Sequence, residues 1–242
     1  MGGGGDELSR HATTAPGAAA TARASARLGL TLRAVLVAPK QGFESAVAAA
    51  DRRARAARKP AEGITPYVLS ALGGAALFLL WLKLGALFDL RDAPRGSFRS
   101  VYLIGVVGIG AALGLVCQAV WAAMSAAILR SESAPRRNLR LMWGASALPQ
   151  VFALLLLPLD LLIAGSGAFT TTRLEDPLGA AWAALSIALG GAFAAWAAYL
   201  FVRGVAITSK AGALRVVAAI ASGVVVLALT YGPLILSTRV IS

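Results

Sequence analysis

The sequence predicts an all-α membrane protein, a bundle of five transmembrane helices preceded by a basic, amphipathic N-terminal segment. Two observations predict it. Of 242 residues, 58% are hydrophobic and only 14% charged, and the mean hydropathy of +0.73 means more apolar surface than a water-soluble domain of this length can bury. The apolar residues also gather into five runs, 67–88, 101–129, 141–165, 178–202 and 216–236, each long enough to cross a hydrocarbon core that needs about 20 helical residues. Amides inside lipid must be bonded within their own segment, so the crossings are helices rather than open strands.

Residues 1–27 are rich in Gly, Ala and Thr without an apolar period, and are expected to be a disordered tail. They do not read as a secretory signal, because the first apolar stretch, LGLTLRAVLVA, comes late and is interrupted by Arg33. Residues 28–66 are expected to form a cytoplasmic, interfacial segment. Within it, 39–59 reads as a helix, with Pro39 in its first turn and Pro60 and Gly63 beyond its end. At about 100° per residue, Phe43, Ala46, Val47 and Ala50 share one face, with Arg52, Arg55 and Lys59 opposite. This pattern suits a membrane surface. Phe43 and Val47 would enter the headgroup region, and the patch Arg52, Arg53, Arg55, Arg58 and Lys59 would face anionic lipid. A solvated helix is the competing reading. Residues 67–242 form the membrane domain.

Basic residues orient the five runs. Arg52, Arg53, Arg55, Arg58, Lys59, then Arg130, Arg136, Arg137, Arg140, then Arg203, Lys210 and Arg215 fall on one side. Arg91, Arg95, Arg99, Arg173 and Arg239 fall on the other. Twelve against five places the N-terminus in the cytoplasm and the C-terminus outside. The net charge of +12 sits in segments flanking apolar runs, which argues for the cell membrane and against nucleic acid as the partner.

The chemistry-bearing residues are few. One cysteine, Cys117, and one histidine, His11, give no disulfide and no thiolate or His-pair metal site, so neither metal nor cofactor is expected. The two charges inside apolar runs are Lys83 and Asp160, each five residues from the end of its run, within ~8 Å of an interface at ~1.5 Å per residue. They could form an ion pair, or each could snorkel outward separately; snorkelling is the preferred reading. Gln118, Gln150, Ser146, Ser186, Thr230 and Tyr231 are scattered and suit interhelical hydrogen bonds. With no acidic pair and no Ser beside Lys or His, an intramembrane enzyme is not expected. Pairs of small residues, Ser70 with Gly74, Gly110 with Gly114, Ser186 with Gly190 and Ala219 with Gly223, suit close helix packing. Pro149, Pro158 and Pro233 are expected to kink their helices.

Three segments carry a resemblance: LRAVLVAPKQGFESA before the first run, RNLRLMWGASALP opening the third, and AWAAYLFVRGVAITSKAGALRVVAAI joining the fourth to the fifth. In this order, from about Leu28 to the C-terminus, the chain resembles the bacterial branch of the Yip1 family of five-span membrane proteins. The resemblance implies a membrane-organising or trafficking-linked scaffold or adaptor and carries over no catalytic residue. The partners it leaves open are the lipid bilayer, a membrane protein or a second copy of the chain. The alternative is a small permease or transporter subunit. A scaffold would depend on the basic loops and be indifferent to Asp160 and Pro158; a permease would show the reverse.

Overall fold

A computed structural model describes residues 33–56, 64–87, 100–129, 136–165, 169, 177–209 and 211–240. The expected disordered tail, together with Arg58 and Lys59, lies outside them. The described residues are helical with no strand, and five helical units are long and apolar enough to cross a membrane.

A helical turn at 33–37 leads into α1 (Pro39–Ala56). Next come α2 (Thr65–Leu87) and α3 (Ser100–Leu129), then α4 (Arg136–Ser146), α5 (Leu148–Ala153) and α6 (Leu156–Ile163), and last α7 (Pro177–Thr208) and α8 (Ala213–Val240). The helices α4, α5 and α6 together make the third membrane-length unit.

The tightest packing joins α2 to α3, because small residues let the two backbones meet. A Cβ on Gly110 would lie 2.8 Å from the Ala75 Cα, and one on Gly114 would lie 2.9 Å from the Gly74 Cα. In lipid, where apolar burial gives helices little reason to associate, such van der Waals contact is the main drive. An aromatic group then ties α3, α4 and α7 together. The ring centroids of Trp121, Trp143 and Phe201 lie 5.0–5.4 Å apart, and Trp121 Nε1 donates to the Ala219 carbonyl of α8 at 2.9 Å. Gln118, 1% exposed, donates to the carbonyls of Pro66 at 3.2 Å and Arg140 at 3.0 Å, linking three segments through one amide.

Two of the three prolines interrupt a helix. Pro149 stands in the first turn of α5, just after the turn at Ala147. Having no N–H and clashing with the carbonyl four residues back, a proline opens a helix more readily than it continues one. The Gln150 amide turns instead to the Ala147 carbonyl three residues back, at 3.0 Å. Pro158 likewise gives nothing to Leu154, whose carbonyl accepts from the Leu157 amide at 3.1 Å, and the helix is broken at Leu154 and Leu155. At Pro233 α8 continues without an interruption in its helix. One proline removes one ladder bond, and with no second proline nearby the flanking bonds carry the helix across.

The amphipathic helix also departs from expectation. Phe43 is not in a headgroup region but fully buried, against the ring-sized space left by Gly204 of α7. It joins Val35, Leu139, Met142, Leu200 and Val205 in the core. A Cβ on Gly204 would lie 3.0–3.3 Å from three atoms of the Phe43 ring. The one-sided apolar face was correctly located, but it finds protein rather than lipid. Full burial of a phenylalanine contributes about 1.5–3 kcal/mol, which the small alanine face alone could not match.

Candidate functional site

Lys83 comes from the last turns of α2 and Asp160 from α6, after the second break in the third unit. α6 brings a completely buried carboxylate, 0% exposed, to Lys83, whose side chain is 8% exposed. Lys83 Nζ donates to Asp160 Oδ2 and to Ser186 Oγ of α7 at 2.8 Å. The second carboxylate oxygen accepts from Trp182 Nε1, also of α7, at 3.1 Å. The Phe169 ring centroid lies 5.7 Å from Nζ, within the range of a cation–π contact. The two charges therefore pair, and neither extends outward by itself as snorkelling would require. Burying two ions costs several kcal/mol each unless the pair is well made and its remaining sites are satisfied; here both carboxylate oxygens and two ammonium protons have partners. The arrangement locks three membrane-length units together at the end of the bundle where α2 ends.

Sequence reasoning missed Trp182 and Phe169. Nothing in their local pattern marks a partner for a charge, and only the fold brings them to Lys83 and Asp160. Ser186, assigned both a hydrogen bond and a small-residue role, makes the bond. Among the other polar residues, Tyr231 OH donates to the Gly74 carbonyl at 3.4 Å, whereas Ser146 Oγ donates back to Trp143 of its own helix at 2.8 Å.

Basic groups mark the opposite end. Arg137 Nη2 bonds Asp51 Oδ1 at 2.5 Å, joining α1 to α4; both side chains are about one-third exposed, so the pair is worth about 0–1 kcal/mol. Its geometric effect is larger, because with Phe43 it holds α1 across the ends of α4 and α7. Arg52 of α1, Arg136 at the start of α4, Arg203 in the last turns of α7 and Arg215 in the first turn of α8 are exposed. Arg53 and Arg55 lie within α1, whereas Arg58 and Lys59 are outside the described residues. Arg140 Nη1 donates to Tyr67 OH at 3.0 Å. Among the described residues, no group of three His, Cys, Asp or Glu side chains is placed to hold a metal ion.

No family model matches the chain, and no curated protein and no solved structure matches it.

Proposed function

We propose that the chain is a non-enzymatic, multi-pass protein of the cell membrane, Yip1-like in type, that organises its membrane as a scaffold or adaptor. Its N-terminus is cytoplasmic and its C-terminus outside. The observation that carries this reading is that α1 is docked through Phe43 and the Arg137–Asp51 pair, while Arg52 and, at the helix ends that the order of crossings puts on the same side, Arg136, Arg203 and Arg215 are exposed. A basic surface beside the hydrocarbon boundary attracts anionic lipid at about 1 kcal/mol per Lys or Arg. The placement of these residues agrees with a cytoplasmic assignment for that side. Lys83 and Asp160 are spent on each other, on Ser186 and on Trp182, which supports a structural use of intramembrane charge over a transport one.

The broken third unit gives the permease reading its one specific support, since interrupted helices bracket binding sites in transporters. Extraction of the full chain into polymer-bounded discs of native membrane separates the two. The scaffold reading expects enrichment of anionic lipid over the bulk membrane. Replacing Arg52, Arg53, Arg55, Arg58 and Lys59 with Gln should reduce it markedly, and Pro158→Ala should leave it unchanged. Solute flux in proteoliposomes that depends on Pro158, without lipid enrichment, would overturn the scaffold reading.

A further inference from the structure

A cleft of about 240 Å³ enters the bundle between α7 and α8. Its floor is buried, with Ser70 1% exposed and Cys117 0%; its rim is open, with Val202 42% and Val224 63% exposed. The helices α7 and α8 touch each other far less than α8 touches α3, so the cleft opens sideways rather than at an end of the bundle. On the membrane placement proposed above, which this inference rests on, a lateral opening faces lipid.

The lining shows which chemistry fits. Among the described residues no charged side chain contributes to it, so a phosphate headgroup or an ion has no counter-charge there. Polar atoms are nonetheless built into the floor. Ser70 Oγ is buried without any protein partner, and Gln150 lines the same space with its Oε1 3.2 Å from where a Cβ on Gly73 would stand, three residues from Ser70 on α2. A buried hydroxyl left unpaired is destabilising, and a ligand acceptor would remove that penalty. The turn at Ala147 also lines the cleft, as expected where irregular backbone at membrane depth borders a cavity. The volume falls below the ~300–1,000 Å³ of a typical site for a whole small molecule, which suits one chain of a larger amphiphile whose remainder stays outside.

We propose that this cleft takes one acyl chain of a bilayer glycerolipid, entering between α7 and α8, with Ser70 and Gln150 hydrogen-bonding its ester carbonyl. The ester is the uncharged acceptor that every such chain carries at its end. An isoprenoid quinone also joins an apolar chain to a carbonyl, and competition tells the two apart.

The test uses the full chain in lipid nanodiscs containing a phosphatidylcholine with a diazirine midway along one acyl chain. After irradiation, adducts are mapped by mass spectrometry. Adducts on the cleft residues Leu77 and Phe201 should exceed those on Leu162 and Leu229 several-fold, since the latter two are 81% and 71% exposed on the outer surface. Ala198→Phe, at an exposed rim position, should reduce the cleft adducts to the level of the outer surface. Ser70→Ala should lower them about fivefold, the equivalent of one hydrogen bond, and excess long-chain quinone should leave them unchanged. Cleft adducts no more abundant than those on Leu162 and Leu229 would overturn the proposal, and displacement by quinone would overturn the acyl assignment. Loss of labelling at Leu162 and Leu229 as well would instead defeat the membrane placement.

Discussion

Asp160→Asn removes the carboxylate charge that Lys83 faces and leaves an ammonium that is 8% exposed with Ser186 and the Phe169 ring as its remaining partners. Breaking a buried pair from one side costs about 3–5 kcal/mol, because the surviving charge is left uncompensated. Lys83→Met should cost a similar amount, leaving a fully buried carboxylate with only the Trp182 indole. The double variant carries no charge at the site, so its loss should fall short of the sum of the two single losses by about 2–3 kcal/mol. Unfolding in detergent, followed by tryptophan fluorescence, measures all four proteins, with Trp182 at the pair as one of the chain's five tryptophans. Strictly additive losses would mean that the two charges do not sense each other, contrary to the pairing.

Phe43→Ala should destabilise the docked α1 by about 3–5 kcal/mol, seen as faster proteolysis between residues 33 and 56 while the membrane-length helices stay protected. Gly204→Val should have the same effect from the other side, because its Cβ would meet the Phe43 ring. Gly114→Val should separate α2 from α3 and cost at least ~1–3 kcal/mol, whereas Gly191→Ala, with open space around its Cβ position, should leave the unfolding midpoint unchanged or raise it.

The helical architecture was legible because length and apolarity decide it almost alone. The five runs overlap the five membrane-length units, and the prolines located both breaks in the third. The ends were less legible: α7 extends to Thr208, six residues past the predicted 202, because Arg203 can continue a helix whose apolar run has ended. The destination of the α1 apolar face was not legible either. Helical periodicity shows that Phe43 and Val47 share a side, but the space above Gly204 comes from a helix some 160 residues later in the chain. Lys83 and Asp160 stood out as charges at equivalent depth, but depth does not give rotation about the helix axis. Asp160 lies on α6, beyond the break at Leu154 and Leu155, and only the assembled bundle brings it to Lys83. Ser70 was visible only as half of a small-residue pair, and its unpaired hydroxyl appears only once α2, α5, α7 and α8 are assembled.

On the proposed topology the docked basic helix lies in the cytoplasm and the C-terminus outside, after five crossings. The chain simplifies the decisive measurement, because its single cysteine, Cys117, is fully buried and gives little background labelling. Arg52→Cys and Ser242→Cys are each expressed in intact cells and exposed to a membrane-impermeant maleimide before and after permeabilisation. Ser242→Cys should be labelled in intact cells and Arg52→Cys only after permeabilisation. Labelling of both positions from the same side would contradict an odd number of crossings and, with it, the cytoplasmic scaffold.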